Sequence, residues 1–153
     1  MSPAPPTLDL DTAARLRASI GRLSRRLRPT AAGAAAGLTP TRISVLFTVA
    51  RLGPIRLSDL AAEEGLNPTM LSRVIADFAQ SGLVTRVCDP GDRRAALVQA
   101  TDAGRRLCDR MRGERTDVLG LALGELADDD RRVVEQALPV LERIAESLKD
   151  RRP

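Results

Sequence analysis

The stretch Leu57–Thr101, LSDLAAEEGLNPTMLSRVIADFAQSGLVTRVCDPGDRRAALVQAT, decides the fold. Leu57 to Glu64 predicts a short helix closed by Gly65, a residue suited to the left-handed position after a helix end. Asn67 and Pro68 open a second helix, because an Asn side chain accepts an unpaired backbone N–H and Pro at the first helical position loses no bond. That helix extends to Ser81 and stops at Gly82. Two short helices joined by a Gly-containing turn make a helix-turn-helix. Next, Leu83 to Cys88 alternates apolar and polar residues, Asp89-Pro90-Gly91-Asp92-Arg93-Arg94 has turn chemistry, and Ala95 to Ala100 returns. A hairpin with a charged tip in this position is a wing.

In the second helix, Leu71, Val74, Ile75 and Phe78 recur at helical spacing and are expected to face the core. Thr69, Met70, Ser72, Arg73 and Asp77 then fall on the opposite side. A major groove admits a helix, whose N-terminal residues reach base edges. Arg73 has the fork to grip a guanine, Thr69 and Ser72 suit bases or phosphates, and Met70 suits a thymine methyl. At the wing tip, Arg93 and Arg94 suit a narrow, electronegative minor groove. Asp92 is expected to pair with Arg94 or a neighbouring Arg and stiffen the wing. Thr41, Ser58, Asn67 and the helix N-termini complete the expected DNA-binding set, setting register through phosphate contacts.

Leu60-Ala61, Leu71-Ser72-Arg73-Val74-Ile75, Gly82-Leu83-Val84, Asp89 to Arg94 and Thr101-Asp102-Ala103-Gly104 together resemble the MarR family of bacterial transcriptional regulators. The resemblance is close from Leu38 to Leu107 and rests on helical layout alone in the flanks. Its most specific part is Asp92-x-Arg94 followed, after a strand, by Thr-x-x-Gly. Ala100 stands where that family usually has Leu, and Ala76-Asp77-Phe78 where it usually has Asp-Arg-Leu, so Asp77 brings a carboxylate near DNA. The resemblance implies an obligate homodimer on a pseudo-palindromic operator, acting as a repressor released by a small aromatic or phenolic ligand such as salicylate, or in some members by thiol oxidation. It also implies a ligand cleft between dimer helices and reading module. Here the candidate lining is Arg22 or Arg26 for a carboxylate and Leu23, Phe47, Leu107 and Met111 for the ring, unless these positions simply pack.

The fold class expected is mainly α (α+β). A winged helix-turn-helix DNA-binding module spans 38–101, with dimerisation helices over 8–29 and 102–150, in one chain of 153 residues. Phe47 and Phe78 are the only aromatics, so the core must be aliphatic. A net charge of +4 suits a polyanionic partner such as double-stranded DNA without proving one. No apolar run approaches bilayer length and Met1 to Pro6 lacks a signal-peptide layout, which predicts a cytoplasmic protein with no membrane partner.

Pro-rich residues 1–7 read as a loose arm. Asp9, Asp11 or Thr12 then caps a helix in which Ala13, Leu16, Ile20, Leu23 and Leu27 form a seam, ended by Pro29. Its other face is Arg15, Arg17, Arg22, Arg25, Arg26 and Arg28: a solvated face, or one that meets phosphate or a ligand carboxylate. Ala31 to Gly37 is either a connector or a short extra helix. Thr39 or Pro40 opens a helix with Ile43, Leu46, Phe47, Ala50 and Leu52 inward, and Ile55-Arg56 has the length to add a third strand to the wing. Thr101 caps a long helix to about Glu125, weakened and bent by Gly113, Gly120 and Gly124, each costing about 1 kcal/mol relative to Ala. Asp128-Asp129-Asp130 suits the positive end of a last helix, with Val134, Ala137, Leu138, Leu141, Ile144, Ala145 and Leu148 on one side and a kink at Pro139. The first and last helices have no sequence-adjacent element to cover their stripes, so a partner subunit is the economical cover.

Enzymatic chemistry is disfavoured. General acid/base work wants His or a paired carboxylate in a pocket, and metal sites want clustered ligands. The chain has no His, its two cysteines Cys88 and Cys108 lie apart, and no Gly-rich phosphate loop appears. No cofactor or metal is expected. Cys88 and Cys108 are expected to be small packing residues, although Arg86 and Arg105 beside them keep a redox sensor open. The remaining alternative is a winged helix that binds proteins, or coats DNA without sequence preference.

Overall fold

The computed structural model describes residues 10–91 and 96–148. Its elements run α1 (Leu10–Leu27), α2 (Ala31–Ala35), α3 (Pro40–Leu52), β1 (Ile55–Arg56), α4 (Leu57–Glu64), α5 (Pro68–Gln80), β2 (Val84–Cys88), β3 (Ala96–Ala100), α6 (Asp102–Gly124) and α7 (Asp128–Ser147). The described residues form two compact units, divided between Arg115 and Thr116.

In the first unit, local chemistry sets most boundaries. Asn67 Oδ1 accepts a hydrogen bond from Thr69 N (2.8 Å), and Pro68 is the first residue of α5. Thr39 Oγ1 caps α3 in the same way (3.4 Å to Arg42 N). Gly65 and Gly82 take left-handed conformations after α4 and α5, where a Cβ is strained (φ +62° and +70°). The helix-turn-helix therefore closes where its turn residues direct.

The wing is a three-stranded antiparallel sheet in the order β1-β3-β2. Ile55 pairs with Val98 and Arg56 with Leu97, so the two-residue β1 is the expected third strand tying the helix-turn-helix to the hairpin. Val84, Val98 and Ala100 turn inward from β2 and β3.

Leu46, Val49, Leu60, Leu71, Ile75 and Phe78 are buried in one aliphatic core with Leu107, Cys108 and Met111 of α6, so the packing reaches beyond Thr101 into that helix. Phe47 and Ala50 are only partly buried against it. Leu52, expected inward, is exposed, because as the last residue of α3 it lies past the core's edge.

Thr101 and Gly104 fasten α6 to the segment that ends α5. Thr101 Oγ1 donates to the Gly82 carbonyl (2.6 Å) and accepts from Gly104 N (3.1 Å), while Thr101 N donates to the Leu83 carbonyl (3.0 Å). A Cβ at Gly104 would stand 2.1 Å from that same Leu83 oxygen, so only glycine lets the backbones approach. The Thr-x-x-Gly spacing is thus a packing requirement.

The Ala/Gly segment after α1 is helical. Thr30 Oγ1 accepts from Gly33 N (3.1 Å), and the Glu114 carboxylate accepts from Ala32 N (3.0 Å), placing negative charge on the N-terminus of α2. The helix so formed is short and held from outside.

The second unit holds the end of α6 and all of α7. Helix α6 continues through Gly113 and Gly120, and α7 continues through Pro139. Asp128 and Asp129 open α7 and pair with Arg131 and Arg132. No residue of α7 is buried, and Val133, Leu138, Val140, Leu141 and Ile144 are all exposed.

Candidate nucleic-acid interface

Helix α5 separates its faces as its periodicity requires. Leu71, Val74, Ile75 and Phe78 are buried, Thr69, Met70 and Arg73 are exposed, and Ser72 is half-buried. Met70 leaves 45% of its surface in solvent on this side of the helix. No ion pair joins Arg73 to any described residue, so its guanidinium is available to a ligand.

Asp77 lies on the polar side but its charge is compensated. Arg42 of α3 pairs with it through Nη2 and Oδ2, joining α3 to α5, the second helix of the helix-turn-helix and hence its expected recognition helix. A carboxylate so neutralised repels phosphate less than a bare one.

The other residues singled out from the sequence sit as follows. Ser58 is exposed in the first turn of α4 and donates to Asp59 Oδ1 (3.3 Å). Asn67 is exposed, but its side-chain oxygen is engaged in the cap of α5. Thr41, in the first turn of α3, is exposed and lines a cavity described below. Asp92, Arg93 and Arg94 lie outside the described residues, so the expected pairing of Asp92 lies outside them too. What stiffens the described base of the wing is a different pair. Arg56 of β1 reaches Asp89 with Nη2 (2.5 Å) and Nε (3.0 Å), and Asp89 Oδ1 also accepts from Gly91 N (2.8 Å). The signal was present, since Asp suits the first position of a turn, but its partner is 33 residues away.

A cavity of about 690 Å³ opens in the first unit between the end of α1, the face of α3, Glu64, Leu66 and Arg115. Phe47 lines it with Ser24, Arg28, Thr41 and Ser44, and carries two guanidinium groups near its ring, Arg112 at 4.9 Å and Arg115 at 5.0 Å from the centroid. Thr48 Oγ1 donates to Glu64 Oε1 at its wall (2.5 Å). Arg115 Nη2 donates to the Arg28 carbonyl (3.5 Å), whereas its Nε is buried with no hydrogen-bond partner among the described residues. A buried donor without an acceptor is costly and invites an anion.

The six residues proposed from sequence to line a ligand cleft do not converge. Phe47 lines this cavity, Leu107 lines a second one, Met111 is fully buried in the core, and Arg22, Leu23 and Arg26 are exposed on α1. Arg28 belongs to the Arg face of α1 for which a ligand carboxylate was one of the two expected partners, whereas Arg115 was not anticipated, because it reaches the site only through the course of α6.

The cysteines also part company. Cys108 is wholly buried, and burial pushes its thiol above the ordinary value of 9.0, outweighing Arg112 beside it. Cys88 was expected to pack. It is exposed instead, because it pairs with Ala96 at the far end of the sheet from the buried Val84–Ala100 rung.

A helix-turn-helix whose second helix presents Thr69, Met70 and Arg73 clear of the core, followed by a three-stranded wing, defines a winged-helix DNA-binding regulator. The MarR family model matches residues 38–96. An HTH-type transcriptional regulator of Mycobacterium leprae is 34% identical over 143 residues, covering 90% of this chain and 99% of that one. The crystal structure of a transcriptional regulator from Thermotoga maritima superposes with a TM-score of 0.79 at 20% identity, over 93% of this chain and 99% of that one. A Staphylococcus aureus MepR mutant bound to an oligodeoxyribonucleotide shares the fold, with a TM-score of 0.63 at 14% identity over 90% and 97%. The chain belongs to the MarR family of transcriptional regulators, and is not an enzyme. No helix among the described residues is long and apolar enough to cross a membrane.

Proposed function

We propose that this regulator acts as a cytoplasmic homodimeric repressor that reads a pseudo-palindromic operator and is released by a small anionic aromatic compound. The observation that carries the sequence reading is the exposed face of α5, where Thr69, Met70 and Arg73 stand clear of the core with Ser72 beside them. Arg73 grips a guanine, Met70 lies against a thymine methyl, and Thr69 and Ser72 take base edges or phosphates. Ser58, Asn67 and Thr41 hold phosphates and set register, and the wing tip with Asp92, Arg93 and Arg94 reads the minor groove. The MepR complex with an oligodeoxyribonucleotide supports DNA as the partner of this fold.

Two copies are needed because uncovered aliphatic side chains recur at both ends of the chain. Ile20 and Leu23 on α1, and Leu138, Leu141 and Ile144 on α7, are each 38–53% exposed. A second copy is the partner that a symmetric operator requires. It sets the two recognition helices roughly 34 Å apart, one turn of duplex.

The inducer occupies the cavity at Phe47. Its carboxylate meets Arg115 and Arg28 and supplies the acceptor that Arg115 Nε lacks, while its ring lies against Phe47. It releases DNA only by preferring a dimer geometry that DNA does not. Salicylate at millimolar concentration should raise the melting temperature and weaken DNA binding, and Arg115→Gln should abolish both effects. Absence of both in the wild type would remove the ligand from this reading.

A salt series tests the DNA reading. Non-specific binding is nearly all counterion release and collapses with ionic strength, whereas a sequence reader keeps its preference. Titration of operator and scrambled duplexes should show a ratio that survives moderate salt, and a ratio near one would leave only a coating protein.

A further inference from the structure

A second cavity, of about 600 Å³, opens beside the C-terminal end of the recognition helix, between α2, α5 and the first turns of α6. It shares no lining residue with the cavity at Phe47. Its apolar wall is aliphatic, drawn from Ala35, Leu38, Leu83 and Leu107, with Phe78 contributing from α5. Its cationic rim is Arg106 and Arg110, one turn apart on α6.

These two guanidinium groups have no ion-pair partner among the described residues, although α6 pairs Arg105 with Asp102 and Arg112 with Asp109 close by. Like charges at this helical spacing repel, so an anion between them relieves a cost and gains charge-assisted hydrogen bonds. A third guanidinium at the cavity, that of Arg42, is already engaged by Asp77. The anionic head of an occupant is therefore directed to α6. The volume lies within the range of small-molecule sites, and an apolar wall with a few convergent polar groups is their usual composition.

We propose that this cavity binds an amphipathic carboxylate with an aliphatic body, its head between Arg106 and Arg110 and its chain against Leu38, Leu83 and Leu107. The occupant touches Phe78 and Ser81 at the end of the recognition element, so it bears on the DNA-reading helix from the side away from that helix's N-terminus.

Decanoate is the probe, titrated calorimetrically onto the full-length protein, with decanol and acetate as controls lacking the charge or the chain. Saturable binding of one decanoate per chain is expected, at least tenfold tighter than decanol or acetate. The exposed double substitution Arg106→Gln/Arg110→Gln should weaken it at least tenfold, and Ala103→Phe, which adds bulk to the cavity wall, should weaken it as well. Arg115→Gln should leave it unchanged. Binding that survives the double substitution, fails to saturate, or is lost in Arg115→Gln would overturn the proposal. None of these readouts involves DNA, so they stand or fall separately from the operator reading.

Discussion

Arg42 on α3 and Asp77 on α5 form an ion pair across 35 positions of sequence, and it is the only ion pair of the described residues that ends on the recognition helix. Both side chains are partly exposed, so its stability contribution should be about 1 kcal/mol or less. Its larger effect should be on DNA binding. Arg42→Ala should weaken operator binding several-fold by baring the Asp77 carboxylate, and Arg42→Ala/Asp77→Asn should restore most of the loss. Fluorescence anisotropy with labelled duplex measures both, and no rescue by the second change would make Arg42 a phosphate contact instead.

Gly104→Ala should destabilise the fold by about 1–3 kcal/mol, the usual cost of overpacking, since the added methyl meets the Leu83 carbonyl. Thr101→Val removes both the donor to Gly82 and the acceptor for Gly104 N, and should cost about 1 kcal/mol as a lost cap. Urea denaturation midpoints give both values. A neutral Gly104→Ala would mean that α6 can shift away from Leu83 freely.

The reading of α4, α5 and the wing was available from sequence because its determinants are local: Asn67 and Pro68 start a helix, Gly65 and Gly82 end two, and alternation marks the strands. What sequence left undecided depends on distant partners. Ala31–Ala35 is helical with Glu114 at its N-terminus, 82 positions away. Arg56 meets Asp89 and Arg42 meets Asp77 only once the chain has folded. The lining of the proposed ligand cleft was the least legible part, since a stripe such as Leu107 and Met111 cannot say from periodicity whether it lines a space or fills one.

Cysteine reactivity should divide sharply. At pH 8 a thiol reagent should label Cys88 rapidly and Cys108 only on unfolding, because burial keeps Cys108 inaccessible and protonated. The linkage sign follows from the raised native pKa. The unfolded chain releases the Cys108 proton near 9.0 while the native state holds it, so this contribution to stability is full below that pH and is lost as pH rises through the native value. Equal labelling rates for the two thiols, followed by mass spectrometry, would contradict the buried placement.

Arg73→Ala should cost about 1–3 kcal/mol on the operator and relax preference at one base position. Equal losses on operator and scrambled duplexes would reduce Arg73 to a phosphate contact.

Selection of bound duplexes from a random pool tests most directly whether paired copies of this chain read sequence. Two inverted half-sites centred one turn apart, roughly 34 Å, are expected, with the symmetry lost in a Leu141→Glu/Ile144→Glu variant that cannot pair. A pool that yields no enriched sequence, or one lone half-site without a symmetric mate, would contradict it.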